Sequence, residues 1–455
     1  MERAYSFFLS AVVLQLYFLE TCISKNITTD QSALLAFKGS FTLNSSHPLT
    51  RNWSSQASAC HWIGVTCGSR HRRVRALNIS NMGILGTIPP HLGNLSFLVS
   101  LDVSRNHLHG VIPREMGNLH KLEKLFMYSN KLSGYIQEEL FNISTLRQMG
   151  LSSNKLSGSL PSAPDYWRTN LQFLNLAANN IGGVIPSSIS NSSNLKELYL
   201  HENKLSGQIP NSLGDLRRLE YLNLDYNNLT GVIPEELFNI SSLTEMSLVF
   251  NNLSGSLPSA PGYRPTKLEH LYLGRNNIGG VIPSSISNSS NLKTLDLDNN
   301  KLSGKIPNSL GDLRQLEFLG LFNNNLLSPH LSILTSLVNC RSLTHIVLSG
   351  NPLNGVLPDS IGNLSTSLEQ IYLTRCEIRG QIPLGIENLS NLIMLSLYGN
   401  ELTGSVPRTL CNLHNLQRLG LFDNRLSGPL PECLCKLPKL EAVDLSSNQI
   451  SGLIP

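Results

Sequence analysis

The chain has 455 residues and a formal net charge of +4, with 15% charged and 6% aromatic residues. So mild a charge excludes the clustered basicity of a nucleic-acid binder. Few charged and aromatic residues, beside Leu, Asn, Ser and Gly recurring at fixed places, point to a repeating unit rather than a general globular core.

At the N-terminus Arg3 precedes an apolar run from Phe7 to Leu19, and Cys22 and Ser24 stand at the minus-three and minus-one positions of a cleavage site before Lys25. Residues 1–24 therefore read as a secretory signal peptide. Gln15 interrupts the run, which is shorter than the about 20 apolar residues a membrane span requires. No later stretch is long or apolar enough, so the mature chain is expected outside the cell, with any membrane anchor outside this sequence. Of the 8 cysteines, those left after Cys22 is removed are odd in number, so in an oxidising compartment at least one is unpaired or pairs with another molecule.

Residues 25–74 form a segment of their own. Asp30 is placed to cap a short helix through Ala33, Leu34, Leu35 and Phe37 that stops at Gly39. Trp53 follows, then Cys60-His61-Trp62-Ile63-Gly64-Val65-Thr66-Cys67, where a Cys60–Cys67 disulfide is expected to close a cap over the apolar end of an array. The basic run Arg70-His71-Arg72-Arg73-Val74-Arg75 reads as a solvated edge.

From residue 75 to 455 one frame recurs: Leu98-x-x-Leu101-x-Val103-x-x-Asn106-x-Leu108-x-Gly110-x-Ile112-Pro113. It returns at Asn130, Asn154, Asn179, Asn203, Asn227, Asn251, Asn276, Asn300, Asn324, Asn351, Asn400, Asn424 and Asn448, with Met82 and Cys376 in the Asn place, giving about 16 coils. Steps are 24 or 25 residues, with one of 27 from Asn324 to Asn351. The pattern predicts an α/β leucine-rich-repeat solenoid. In each Leu-x-Leu, alternation sends the leucines inward and the residue between outward, so each coil adds a strand to a parallel sheet on the concave face. The Asn amide satisfies backbone groups where water cannot reach. The Gly permits positive φ, and Ile-Pro leads the chain onto the convex back. Phe141-Asn142-Ile143-Ser144 returns as Phe238-Asn239-Ile240-Ser241, 97 residues on, as expected of an internal duplication of four coils.

The helix with Ser32-Ala33-Leu34-Leu35-Ala36-Phe37-Lys38, the Cys-x-Trp-x-Gly-Val-x-Cys cap and the Leu-x-Gly-x-Ile-Pro coils resemble the ectodomain of plant leucine-rich-repeat receptor-like kinases. The likeness is greatest to the long-ectodomain subfamily that includes receptors sensing bacterial proteins and peptides. It implies a right-handed superhelix at the cell surface, a protein or peptide ligand along the inner face, and a co-receptor kinase recruited near the membrane-proximal end. Two departures stand out. The chain stops at Ile454-Pro455 in mid-coil, before the family's C-terminal cap, transmembrane helix and serine/threonine kinase. It also lacks an inner-strand Arg-x-Arg pair, which argues against peptides gripped by a free C-terminal carboxylate.

No phosphate-binding glycine loop, kinase signature, metal-binding His pair or nucleophile elbow occurs, so no catalysis and no cofactor are expected within the chain. Cys433-x-Cys435 has no second pair at ligand spacing and argues against a metal. Cys411 and Cys435 hold equivalent places in successive coils, where they either bridge or remain buried thiols. The expected function is ligand recognition in defence or developmental signalling, with a secreted inhibitor of foreign hydrolases as the alternative.

Thirteen glycosylation sequons start at Asn26, Asn44, Asn52, Asn78, Asn94, Asn142, Asn191, Asn228, Asn239, Asn252, Asn288, Asn363 and Asn388. Most follow Ile-Pro, and only Asn78 takes an outward strand position, which leaves the inner strip free of sugar. From about the fifth to the fourteenth coil that strip presents Tyr199, His201, Tyr226, Phe250, Tyr272, Arg275, Phe322, Tyr372, Arg375 and Tyr398. Large aromatics facing water are the anchors expected of a binding surface. The competing role for them is to stack on cross-strand neighbours and shield the sheet.

Overall fold

The computed structural model describes residues 27–259 and 267–453. The expected signal peptide, Asn26 and the terminal Ile454-Pro455 lie outside the described residues. The chain divides into two compact units, Met1–Ser157 and Gly158–Pro455.

In the first unit a helix, Ile27–Gly39, buries Ala33, Leu34 and Phe37. Asp30 is not its cap, as the spacing suggested. The helix is already under way at Ile27, and Asp30 lies in its first turn, fully buried. Its carboxylate accepts from Arg73 Nη2 at 2.6 Å, Arg73 Nε at 2.8 Å and the Val74 amide at 2.9 Å. Arg73 likewise leaves the solvated edge assigned to it, because a guanidinium with two charge-assisted bonds to one carboxylate can be enclosed. Arg70, His71, Arg72 and Arg75 remain exposed.

Trp53 and Trp62 stack at 5.4 Å, and a disulfide joins Cys60 to Cys67. The strand Val65–Cys67 runs antiparallel to Val74–Asn78. Beyond it the pairing is parallel, through Ser100–Asp102 and Lys124–Phe126 to Gln148–Gly150. The antiparallel strand therefore covers what would be an open sheet edge.

The second unit is one parallel row in chain order, from Phe173–Asn175 and Glu197–Tyr199 to Arg418–Gly420 and Ala442–Asp444. Each central apolar residue pairs with its counterpart one coil on, as Leu198 does with Leu222 and Ile371 with Leu395. A second set of short parallel strands follows most ladder positions, such as Lys204–Gln208 beside Asn228–Val232, while after Asn276 only an isolated Ser256–Gly279 bridge remains. The chain then enters Ile-Pro in extended conformation, as at Pro186 (φ −72°, ψ 139°), and makes one 3₁₀ turn such as Ser187–Asn191. The longer step has its own content: Ser332–Ser336 is α-helical and is entered through left-handed His330 and Leu331.

The ladder is built as its chemistry predicts. Asn227 Nδ2 donates to Leu200 O of the preceding coil (3.0 Å) and Leu224 O of its own (3.1 Å), while its Oδ1 accepts from the Leu205 amide (3.0 Å). The residue just before each ladder position is left-handed, among them Tyr226 (φ 51°), Phe250 (55°), Arg275 (57°) and Arg375 (52°). Side chains dislike this conformation. The ladder bonds on either side hold it, and wherever this place is not glycine it turns a side chain out over the sheet rim.

One disulfide reading is corrected. Cys411 bonds to Cys433, with Cα atoms 5.7 Å apart, and Cys435 is an exposed free thiol. Equivalent places in stacked turns project side by side in the same direction. An offset of two residues along the one-turn segment Glu432–Lys436 brings Cys433, rather than Cys435, against Cys411. Cys340 and Cys376 are buried free thiols.

Candidate ligand-binding surface

All ten candidate inner-face residues lie in the second unit, and the structure sorts them into two groups. Upstream, Tyr226 stacks on Phe250 at 4.4 Å, and the Arg275 guanidinium lies 4.4 Å from the Phe250 ring centroid. These three occupy the left-handed place of successive coils, so the stack runs along the rim. Tyr199 meets His201 edge-on at 6.2 Å, and its hydroxyl donates to Glu197 Oε2 at 3.1 Å. Burial, then Glu197, raises the Tyr199 phenol well above its usual range. Tyr272 stacks on His270 at 6.1 Å, and burial raises its phenol too. Of these ring-to-ring contacts only Tyr226–Phe250 joins neighbouring coils, and Tyr226 keeps 52% of its surface exposed.

Downstream, Phe322, Tyr372, Arg375 and Tyr398 come together around a recess of about 600 Å³. Its floor is a line of hydroxyls that the sequence reading missed. Ser349 Oγ accepts from the Thr374 amide at 2.9 Å, and Thr374 Oγ1 lies 3.1 Å from Ser396 Oγ. Val347 and Met394 add apolar wall. Tyr398 is backed by Phe422, stacked at 4.5 Å, and the Arg375 guanidinium lies 5.9 Å from the Tyr398 ring. Gly350 (φ 69°) and Gly399 (φ 67°) hold the left-handed place in the coils flanking Arg375. A Cβ on Gly399 would stand 2.8 Å from Arg375 Cγ, so this glycine gives the arginine stem its room. The signal for the recess was therefore two glycines and three small hydroxyls at outward positions.

Asp225 lies within the upstream group, and Asp296 and Asp298 lie between the two groups; the carboxyls of all three are raised chiefly by burial. Asp298, further opposed by Asp296, is pushed up to about 7. The sequence pattern alone did not single out any of the three.

Of the described sequon residues, Asn44, Asn78, Asn142, Asn191, Asn228, Asn239, Asn252, Asn288, Asn363 and Asn388 are exposed, while Asn52 and Asn94 are half-buried. Asn94, Asn191, Asn239, Asn288, Asn363 and Asn388 each end a 3₁₀ turn, and Asn142 follows the short helix Glu138–Phe141. None lines the recess.

Comparison with known proteins agrees with this architecture. The Leucine rich repeat family matches residues 96–156, 169–229, 266–326 and 366–426, and the Leucine rich repeat N-terminal domain matches 27–68. The LRR receptor-like serine/threonine-protein kinase EFR of Arabidopsis thaliana is 43% identical over 75 residues, which is 16% of this chain and 7% of that protein. The solved PEPR1–AtPEP1 structure superposes with a TM-score of 0.78 at 31% identity, covering 94% of this chain and 66% of that one. The Arabidopsis receptor kinase HAESA, solved with the peptide hormone IDA and the co-receptor SERK1, gives 0.57 at 29% identity, covering 94% and 83%. The chain's matches cover only a small part, 7–8%, of EFR and of other receptor kinases among its curated relatives. Among the described residues no helix is long and apolar enough to cross a membrane. The four repeat matches alone span more than half of the sequence, and the chain belongs to the leucine-rich-repeat family.

Proposed function

We propose that this chain is the extracellular ligand-recognising part of a receptor-like protein in defence or developmental signalling, which holds a protein or peptide along its inner strands. The observation that carries this reading is the recess bounded by Phe322, Tyr372, Arg375 and Tyr398. It joins aromatic walls, a cation and polar groups able to meet a peptide backbone, and it falls within the usual 300–1,000 Å³ of ligand pockets. The solved relatives with bound peptides support the ligand class, and the HAESA complex supports recruitment of a co-receptor kinase. Catalysis would belong to a kinase on a longer chain, and the chain would reach the plasma membrane through an anchor there.

The test is to pan a random peptide library on the secreted full chain and measure the enriched peptides by calorimetry. Tyr372→Ala with Arg375→Ala, or Tyr272→Ala with Arg275→Ala, should cost about 2 kcal/mol or more where these residues are anchors. Asn142→Ser with Asn288→Ser, on the back, should leave affinity unchanged. If both inner-face pairs bind like the parent chain while the back-face variant fails, the assignment is wrong.

A further inference from the structure

The basic run that opens the array contributes no residue to the recess lined by Phe322, Tyr372, Arg375 and Tyr398. Within the first unit its side chains gather around Phe97. Lys121 Nζ lies 3.6 Å from the ring centroid, the Arg73 guanidinium 4.7 Å, and the His71 ring meets it edge-on at 5.7 Å. With Arg70 and Arg75 these residues line a recess of about 340 Å³.

No carboxylate lines that recess. Arg73 is committed to Asp30. Arg70, Arg75 and Lys121 are exposed and make no ion pair among the described residues. An aromatic face holds a cation in place without neutralising it. The fold thus gathers Arg70, Arg75 and Lys121 around one concavity, with Lys121 held on the Phe97 ring, an arrangement of like charges that repels itself and draws in counter-ions. Guanidinium forks match planar carboxylates two bonds at a time.

We infer that this recess binds an acidic polysaccharide, a chain of uronate sugars. It is at the small end of ligand pockets and takes one or two carboxylated rings, while the exposed cations at its rim meet the next carboxylates along the polymer. A lipid surface fits less well, because the cations ring a concavity instead of standing on a protruding face. The inference uses the extracellular reading of the chain and is independent of the peptide site.

Calorimetry of the secreted full chain with oligogalacturonate at low salt tests it. Binding should weaken steadily as salt is raised and should vanish for the methyl-esterified oligomer, which lacks the charge. Arg75→Ala and Lys121→Ala should each weaken binding about three- to fivefold, the scale of exposed ion pairs, and together about tenfold or more. Lys121→Arg should stay within about twofold of the parent chain. These side chains are exposed, so melting should not change, and a circular-dichroism melt checks that each variant is folded. Undiminished binding by a folded Arg70→Ala/Arg75→Ala/Lys121→Ala variant would overturn the proposal. Equal binding of the esterified oligomer, no binding at all, or stronger binding to phosphatidylserine vesicles would do the same.

Discussion

Cys376 breaks the asparagine ladder, and the break predicts what restoring it should do. In an intact coil the amide two residues after the ladder Asn donates to the next Asn, as Leu326 does to Asn351 Oδ1 at 3.0 Å. The equivalent amide at Leu353 faces Cys376, and it bonds instead to Asn351 O, two residues back, at 2.8 Å. The Cys376 thiol makes only long contacts, 3.5 Å to Leu348 O and 3.4 Å to Thr374 O. Cys376→Asn would give Leu353 a proper acceptor and Leu348 O and Leu373 O a nitrogen donor. At about 0.5–1.5 kcal/mol net per bond, less the sulfur contacts and the apolar burial of a cysteine, the gain should be about 1–2 kcal/mol. Asn227→Cys is the reverse experiment. It strips the bonds to Leu200 O and Leu224 O and orphans the Leu205 amide, and should cost about 2–3 kcal/mol. Urea unfolding measures both, and hydrogen exchange locates the effect: the Leu353 amide should exchange more slowly in Cys376→Asn. Unchanged exchange at Leu353, together with a neutral Asn227→Cys, would refute the ladder as a source of stability.

Native protein should react with a thiol reagent at Cys435 alone, since burial pushes Cys340 up to about 11 and Cys376 up to about 12; mass mapping before and after unfolding checks this. Asp30→Asn should destabilise the N-terminal cap by about 3–5 kcal/mol, because it leaves the Arg73 guanidinium enclosed without its charge partner, and differential scanning calorimetry reads the loss. Asp298 binds its proton more tightly folded (about 7) than unfolded (3.8), so its contribution is full below about pH 4 and is lost as pH rises towards 7. Asp298→Asn should therefore gain more over the parent chain at pH 8 than at pH 5 in urea unfolding, and an equal gain at both would contradict this. Plant-expressed chain should lose mass on deglycosylation, with occupied sites at the exposed turn ends Asn191, Asn239 and Asn288; an unchanged mass spectrum would refute it.

Most of the fold was legible because a single frame specifies it. Strand, ladder, turn and back segment each have a fixed residue type, and each coil can bury its leucines only against its neighbours. Where a pairing crosses that frame, legibility fails. Asp30 looked like a cap because caps are read from neighbours in sequence, whereas its partner Arg73 is 43 residues away. Arg73 looked solvated because its run is basic, and nothing local marks the one member that turns inward. The Cys411–Cys433 bond escaped for a related reason: matching residues by coil position finds places that run parallel, while a disulfide needs two places that face each other.

The inner surface shows the same division more sharply. Which residues point outward follows from the period, and so does the stack of Tyr226, Phe250 and Arg275, which stand one coil apart. The shape of the surface does not, because it depends on side chains that are small or missing. Gly350 and Gly399 interrupt the rim on both sides of Arg375, and Ser349, Thr374 and Ser396 set a shallow polar floor between larger rings. Scanning for large aromatics finds the walls wherever they occur, including stretches where they lean on one another without bounding a recess as marked as that at Tyr372. A search for binding sites on such arrays should therefore weigh the gaps in each outward column as heavily as its bulky residues. By that measure the coils from Phe322 to Tyr398 are the place to begin.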